Sequence, residues 1–330
     1  MSFVNFIREV KKMRVRFYYV MGLVLLFMDV LSAKVMVITH SYNRPDFIRL
    51  QHDTLKKFLL DEYEFVVFND GPTTKLAHQI EEACRELSIR CIRIPQEIHQ
   101  MAYLPRQPWE DWNSPSIRTA NALQYSFNAY AFNYDGIVAV MDSDMFLIRP
   151  FSIEEYLKGY DISAVKQWRG SLGYIHYIWN GLMFFNMNTV PNKRSLNFNS
   201  GSIYGNHTDT GGFTYFYLTE NPKAKVLYMK EQLDLTDGDC ITDSYDLENR
   251  GYLLKDQVLE MVSNDDALMR FVQAEPDDVQ FFLHFAFLHY RRGGNYHNKS
   301  HIYHQEKTRL LDRFIEEILF IPNRHTDLKK

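Results

Sequence analysis

Apolar runs and amphipathic stretches alternate along the first part of the chain. Short runs of apolar and β-branched residues end in polar or turn residues at KVMVITHSYN, EFVVFNDGP and IRCIRIP (residues 34–43, 64–72 and 89–95). Between the first two runs, Phe47, Leu50, Leu55 and Phe58 recur at helical spacing. Strands that alternate with helices predict an α/β fold with a mainly parallel central sheet flanked by helices.

The later pattern adds strands and a final helix. Ser114 and Pro115 are typical of a helix start. Further strands are predicted at DISAVKQW, YIWNGLMFFNM and FFLHFAFLHY (residues 161–168, 177–187 and 281–290), the last as one long strand. Residues 191–212 are polar and glycine-rich, which predicts a loop, and apolar positions from Leu310 to Leu319 predict a closing helix.

Composition indicates a globular protein and argues against a nucleic-acid-binding, disulfide-rich or zinc-thiolate protein. The chain has 330 residues, 46% of them apolar and 15% aromatic, which is ample for a core. A formal net charge of −4 argues against a nucleic acid partner. Three cysteines are too few and too scattered for a disulfide framework or a thiolate zinc site.

The N-terminus differs from the rest of the chain. Five basic residues precede the apolar run FYYVMGLVLLFM, in the order of a signal peptide or signal anchor. We therefore predict two parts: a basic, hydrophobic segment over residues 1–33 and a single domain over residues 34–330. The segment predicts membrane association, with a cytoplasmic protein that has an interfacial or buried N-terminal helix as the alternative.

The stretch IVAVMDSDMFLIRP, residues 137–150, carries the candidate chemistry. Asp142 and Asp144 follow an apolar strand, and the two-residue period of a strand would place both carboxylates on one side. The repulsion between them is relieved if the pair shares a proton or holds a divalent cation. Phe146 and Leu147 stand where a calcium loop needs an oxygen ligand and a glycine. An aspartyl-nucleophile phosphatase would have its pair on the first strand, which is not the case here.

This stretch resembles the DXD motif of the GT-A fold glycosyltransferases. The resemblance implies a GT-A-like single catalytic domain that moves a sugar from a nucleoside diphosphate donor, with Mn²⁺ or Mg²⁺ as cofactor. A hard cation on carboxylate oxygens would stabilise the charge that collects on the leaving diphosphate. Asp144 is then the main metal ligand, and Asp142 is shared between the metal and the ribose.

The same resemblance implies roles for residues elsewhere in the chain. Positions at the ends of the first two strands and on the helix before the DXD strand would bind the donor, namely Thr39, Ser41, Asn43, Asp70, Arg118 and Asn121. Asn180, in the Asn-Gly pair of a predicted strand, would act near the sugar, and Asp209 beside Gly211 is the candidate base. Tyr177 or Trp179 could stack on a sugar face.

A second element of the resemblance lies at HYRRGGNY, residues 289–296. Imidazole nitrogen beside carboxylate oxygens suits Mn²⁺, and His289 is predicted to complete the metal shell in preference to His284. Arg291 and Arg292 would neutralise the diphosphate, while Gly293 and Gly294 would let the backbone approach it.

Two rival readings stay open at the level of sequence. A nucleotidyltransferase also uses metal-bound acids, but THSYNRPDF lacks the glycine-rich loop that wraps a triphosphate. A membrane-tethered, non-catalytic binding domain would leave the two aspartates as solvated or capping residues. The acceptor, whether glycan, lipid or protein, and the choice between inverting and retaining chemistry do not follow from the sequence.

Overall fold

The computed structural model describes residues 35–100, 114–170, 174–229, 232–235, 251–252, 255–274, 279–291, 293 and 301–320. The predicted signal-anchor-like segment, residues 1–33, lies outside this part of the chain. Among the helices described, none is long and apolar enough to cross a membrane.

A seven-stranded sheet forms the centre of the domain. Its strands run in the order β10 (Val226–Tyr228), β6 (Ile162–Arg169), β7 (Ile175–Asn186), β4 (Ile137–Met141), β1 (Val35–Ser41), β2 (Tyr63–Asn69) and β3 (Arg90–Arg93). β1 pairs in parallel with both β2 and β4, β2 with β3, and β10 with β6, whereas β7 is antiparallel to β4 and β6. The predicted α/β class with a mainly parallel central sheet is confirmed.

Alternation along the strands divides the core between the two faces of this sheet. Val35 and Val37 of β1 lie in one buried cluster, and Met36 and Ile38 lie in the other. Because both faces of a parallel sheet are covered, its strands are apolar at nearly every position. The uninterrupted apolar runs seen in the sequence therefore reflect burial on both sides.

Helices cover the two faces. They are α1 (Pro45–Phe58), α2 (Thr74–Glu86), α3 (Pro115–Ala129), α4 (Ile153–Leu157), α5 (Thr214–Glu220), α6 (Lys255–Met261), α7 (Asp266–Ala274) and α8 (His301–Phe320). α1 and α8 bury their apolar stripes in the first cluster, whereas Leu123 and Phe127 of α3 belong to the second. Pro115 opens α3, but the side chain of Ser114 makes no capping hydrogen bond.

A second sheet extends the domain beyond the DXD stretch. It has five strands in the order β12 (Gly251–Tyr252), β11 (Gln232–Leu235), β13 (Val279–Phe282), β14 (Phe287–Tyr290) and β5 (Met145–Leu147). β14 runs antiparallel to β5, with His289 opposite Met145. This pairing joins the late part of the chain to the end of β4.

Two sequence predictions of secondary structure are wrong. The single long strand over residues 281–290 is a hairpin, because Leu283, His284 and Phe285 turn the chain with φ values of 53°, 54° and 64°. Apolar residues fill the turn as well as the strands, so periodicity could not reveal it. Residues 191–212 are not only loop, since β8 (Gly201–Ile203) and β9 (Asn206–Thr208) form a short hairpin there.

Candidate functional site

A cleft with a volume of about 650 Å³ opens at the carboxyl ends of β1, β2 and β4. Carboxyl ends of parallel strands meet at one edge of a sheet, where α/β folds commonly bind ligands. Predicted site residues that line the cleft are Asn43, Asp70, Arg118, Asp142, Asp144, Asn180, Asp209, His289 and Arg291.

The two aspartates of the DXD stretch lie in a turn between β4 and β5. The backbone N–H of Met145 donates to the carbonyl of Asp142 at 3.0 Å, and that of Asp142 donates to the carbonyl of Gly181 at 2.9 Å. The turn, not the alternation of a strand, therefore brings the carboxylates together. The side-chain amide of Gln51, on α1, stabilises the turn by donating to the carbonyls of Asp142 and Met145.

His289 joins the two aspartates through the pairing of β14 with β5. The backbone N–H of Tyr290 donates to the carbonyl of Asp144 at 2.8 Å, which sets the register. His289 Nε2 lies 3.2 Å from Asp144 Oδ1. One ligand atom from each of Asp142, Asp144 and His289 lies within 4.8 Å of the others. These three candidate metal ligands are called the metal cluster below. Residues far apart in sequence thus converge on one point.

Gln280 fixes the imidazole of His289 from the opposite side. Its Oε1 lies 2.7 Å from His289 Nδ1, and the contact is buried. A proton on Nδ1 that is donated to Gln280 leaves the lone pair of Nε2 facing the Asp144 carboxylate, so two electron-rich atoms need a proton or a cation between them. An outer hydrogen bond of this kind is typical of histidines that bind metals.

The two carboxylates differ in their electrostatic environment. Burial and, next, the charge of Asp144 raise the pKa of Asp142 to about 6, while His289 and the Ser143 backbone N–H oppose the rise. Burial would also raise the pKa of Asp144, but His289 and the backbone N–H of Gly293 hold it below its usual value. Asp144 is therefore the charged anchor of the pair, and a cation nearby would keep Asp142 charged as well.

Next to the end of β2, several polar side chains converge on the carboxylate of Asp70, which lines the cleft. Its Oδ1 accepts from Arg118 at 2.8 Å, from His99 at 2.7 Å and from Gln96 at 3.2 Å. Arg118 also lies over the ring of Tyr42, 4.8 Å from its centroid. Because Asp70 and His99 are buried, this network fixes the geometry of the cleft wall. Neither His99 nor Gln96 was predicted from the sequence, because the polar residues that follow the short apolar strand form no recognisable motif.

Alternation along β1 also decides which of its residues face the cleft. His40 and Tyr42 line it, together with Asn43. Thr39 and Ser41 are buried, and their hydroxyls have no hydrogen-bond partner among the described residues. The two-residue period was a usable signal for His40 and Tyr42. Asn121 is likewise buried, and its amide donates to the carbonyl of His99 at 3.4 Å.

His40 is a neutral group in the cleft wall. Burial lowers its pKa to about 4, although the charge of Asp70 acts in the opposite direction. Its Nε2 lies 3.0 Å from the hydroxyl of Ser126, which itself donates to the carbonyl of Leu123. The Ser126 hydroxyl oxygen therefore accepts from His40 Nε2.

The Asn-Gly pair on β7 borders the metal cluster. Asn180 and Trp179 line the cleft, and the indole of Trp179 lies 5.2 Å from the His289 ring, centroid to centroid. A Cβ added at Gly181 would lie 2.0 Å from an indole atom of Trp179. A side chain at position 181 would therefore displace the indole of Trp179. Tyr177 is buried rather than open to a sugar face.

Asp209 lies in a turn at the edge of the cleft. Its Oδ1 accepts from the backbone N–H of Thr210 at 2.7 Å, and its own N–H donates to the hydroxyl of Tyr177 at 3.2 Å. Its charge makes a smaller contribution to the raised pKa of Asp142 than burial and the charge of Asp144 do. Gly211, with φ of +88°, turns the chain just after it.

Arg291 is the cation of the late motif that the structure places in the cleft. Arg292 and Gly294 lie outside the described residues. Gly293 is buried against the metal cluster, since its N–H donates to Asp144 Oδ2 at 3.0 Å.

Comparisons with known proteins find similar solved structures but no matching protein-family model or curated protein sequence. Among solved structures, glucosyl-3-phosphoglycerate synthase from Mycobacterium tuberculosis in complex with Mn²⁺, UDP and glucosyl-3-phosphoglycerate is similar at a TM-score of 0.35 and 14% identity, over 60% of this chain and 69% of that one. The same enzyme with Mn²⁺ and UDP-glucose gives a TM-score of 0.36 at 14% identity, over 60% and 68%.

An active-site mutant of LgtC is similar over a larger share of the chain. It covers 84% of this chain and 95% of its own length, at 13% identity and a TM-score of 0.43. At these TM-scores the likeness assigns the chain neither a reaction nor a substrate.

Proposed function

We propose that this chain is a metal-dependent glycosyltransferase that moves a sugar from a nucleoside diphosphate donor to an acceptor hydroxyl. The observation that carries the proposal is the convergence of Asp142, Asp144 and His289 within 4.8 Å at the mouth of a cleft. Two carboxylate oxygens and one imidazole nitrogen form a donor set that suits Mn²⁺, and Mg²⁺ is the alternative. Bound there, the cation would offset the negative charge that builds up on the departing diphosphate.

The cleft provides groups for both halves of such a donor. Asp70 follows β2, which β1 separates from β4, and we assign the nucleoside to the part of the cleft lined by Asp70, Arg118 and Asn43. Arg291 adds a positive charge on the side of the cluster, where the diphosphate would lie. Trp179, Asn180 and Asp209 then border the sugar. Three of the predicted donor-binding residues are buried, and in this proposal they pack behind the cleft wall without contacting the donor: Thr39, Ser41 and Asn121.

The reaction breaks one bond and forms another at the anomeric carbon of the sugar. The bond from that carbon to the diphosphate oxygen breaks, and its electron pair leaves with the nucleoside diphosphate. The acceptor oxygen bonds to the anomeric carbon and loses its proton. Asp209 is the group we assign to receive that proton.

Substitution of Asp144 tests this function. Purified protein should release nucleoside diphosphate and sugar from a panel of nucleotide sugars only when Mn²⁺ is present. Asp144→Asn should abolish this release, whereas Asp135→Asn, a change at an exposed aspartate, should leave it unchanged. Retained activity in the Asp144 variant would refute the mechanism. Release of pyrophosphate from a nucleoside triphosphate would instead identify a nucleotidyltransferase, and metal-independent binding without turnover would identify a binding domain.

Membrane association through residues 1–33 is a separate proposal. It rests on the basic and apolar pattern of that segment. Fractionation of cells that express the full chain or residues 34–330 tests it. We expect the full chain in the membrane fraction and the shortened chain in the supernatant, and equal distribution of the two would contradict it.

A further inference from the structure

Arg44 joins three parts of the chain next to the metal cluster. It lies between β1 and α1, and its side chain is 6% exposed. Its Nη1 donates to the carbonyl of Gly293 at 2.6 Å, and its Nη2 donates to the hydroxyl of Thr308 on α8 at 3.0 Å. Asp46 balances its charge, with an oxygen 2.9 Å from Nε, and the guanidinium stacks 3.4 Å from the centroid of the Phe47 ring.

Gly293 connects this arginine to the metal cluster. Its carbonyl accepts from Arg44, and its N–H donates to Asp144 Oδ2 at 3.0 Å. A Cβ at this position would lie 2.7 Å from an atom of the Phe47 ring and 2.9 Å from the Cβ of Asp144. Gly293 therefore links Arg44 to the Asp144 carboxylate, through its carbonyl on one side and its N–H on the other.

Lys307, which precedes Thr308 on α8, contacts the segment of Tyr290 and Arg291. The Nζ of Lys307 donates to the carbonyl of Arg291 at 3.0 Å and lies 4.3 Å from the centroid of the Tyr290 ring. The hydroxyl of Tyr290 in turn donates to the backbone carbonyl of Lys307. Lys307 of α8 thus contacts the segment that carries His289 and Arg291 directly, and Thr308 is linked to that segment through Arg44.

We infer that Arg44 is a positioning residue of the metal site, which ties α8 to the segment of His289 and Gly293 and so holds Asp144 in its metal-binding geometry. The inference rests on the proposed function and deepens it, because it makes the C-terminal helix part of the site. A guanidinium suits this role since its planar fork fixes several acceptors at once, which the single ammonium of lysine does not do.

Mn²⁺ affinity in a set of variants tests the inference. Arg44→Lys keeps the charge and loses the fork, and Thr308→Val removes one hydroxyl with little change of shape. The matched control is Lys57→Met, because Lys57 also ties α1 to α8 but does so at the far end, donating to the carbonyls of Ile318 and Leu319. Free Mn²⁺ is measured by electron paramagnetic resonance during titration of each full chain, and thermal unfolding is followed in parallel.

We expect Arg44→Lys to weaken Mn²⁺ binding about tenfold, as is typical when an outer-shell contact is lost, and Thr308→Val to weaken it by a smaller factor. Lys57→Met should lower the unfolding temperature without changing Mn²⁺ affinity. Unchanged affinity in Arg44→Lys and Thr308→Val, or an equal loss in Lys57→Met, would overturn the inference. If Arg44→Lys does not fold, Thr308→Val decides the outcome.

Mn²⁺ binding by the wild-type chain distinguishes a failure of the proposed function from a failure of the inference. A wild-type chain that binds no Mn²⁺ would remove the proposed function and the inference together. A wild-type chain that binds Mn²⁺ with variants that bind it equally well would remove the inference alone.

Discussion

Gln280 and His289 face each other on the two strands of one hairpin, with Gln280 Oε1 2.7 Å from His289 Nδ1. The contact selects the tautomer in which Nε2 is free to bind a cation. Gln280→Leu should therefore weaken Mn²⁺ binding by about 10- to 100-fold, measured by calorimetric titration. Gln280→Glu, which still accepts from Nδ1, should retain most of the affinity. Equal loss in both variants would argue against the role of this hydrogen bond.

The raised pKa of Asp142 predicts how metal binding depends on pH. With a pKa of about 6, Asp142 is protonated below that pH and loses the charge that attracts a cation. Mn²⁺ affinity should fall as the pH drops from 7 to 5, as measured by titration at each pH. In Asp142→Asn the affinity should be weaker throughout, and its dependence over this range should be shallower. A wild-type profile that is flat between pH 5 and 7 would contradict the prediction.

Stability of the metal-free protein should depend on the same group. Its pKa in the folded protein lies above the ordinary value of 3.8, so the folded state binds the proton more tightly than the unfolded state. The resulting stabilisation is complete below the unfolded pKa and is lost as the pH rises through about 6. The unfolding temperature of Asp142→Asn relative to wild type should consequently rise between pH 5 and 7.5, which differential scanning calorimetry measures. A constant difference would show that Asp142 does not titrate there.

Gly181 should not tolerate alanine. A Cβ there would lie 2.0 Å from Trp179, so the indole must move away from the ring of His289. We expect Gly181→Ala to lower the free energy of unfolding by about 1–3 kcal/mol and to change the tryptophan fluorescence of the metal-free protein. Gly159→Ala serves as a comparison, because open space surrounds that glycine although its φ is +83°. Wild-type stability and fluorescence in Gly181→Ala would contradict the predicted contact.

His40 should stay neutral throughout the physiological range. Burial lowers its pKa to about 4, so its imidazole should not titrate between pH 5 and 8. Nuclear magnetic resonance of the histidine ring nitrogens over that range checks this, with His40→Gln used to assign the signal. A His40 midpoint above pH 6 would show that the charge of Asp70 outweighs burial.

The pattern of residues by itself determined the α/β class and the mainly parallel sheet, because a strand buried on both faces leaves an apolar run that helical stretches interrupt. It also singled out Asp142 and Asp144 as a carboxylate pair suited to a cation, and the GT-A resemblance added His289. It did not show that residues 281–290 turn back on themselves, since apolar side chains occupy the turn as well as the strands. Nor did it show that Gly181 accommodates Trp179.

Only the tertiary structure decided which residues meet. The pairing of β14 with β5 brings His289 to Asp144, and that register depends on contacts between segments more than a hundred residues apart. Gln280, His99 and Arg44 acquire their roles through such contacts, so local sequence carries no signal for them. Alternation on β1 placed His40 and Tyr42, rather than Thr39 and Ser41, on the cleft because only one face of the strand end stays open. The residue types determine that the site can bind a cation, whereas long-range packing determines the geometry in which those residues meet.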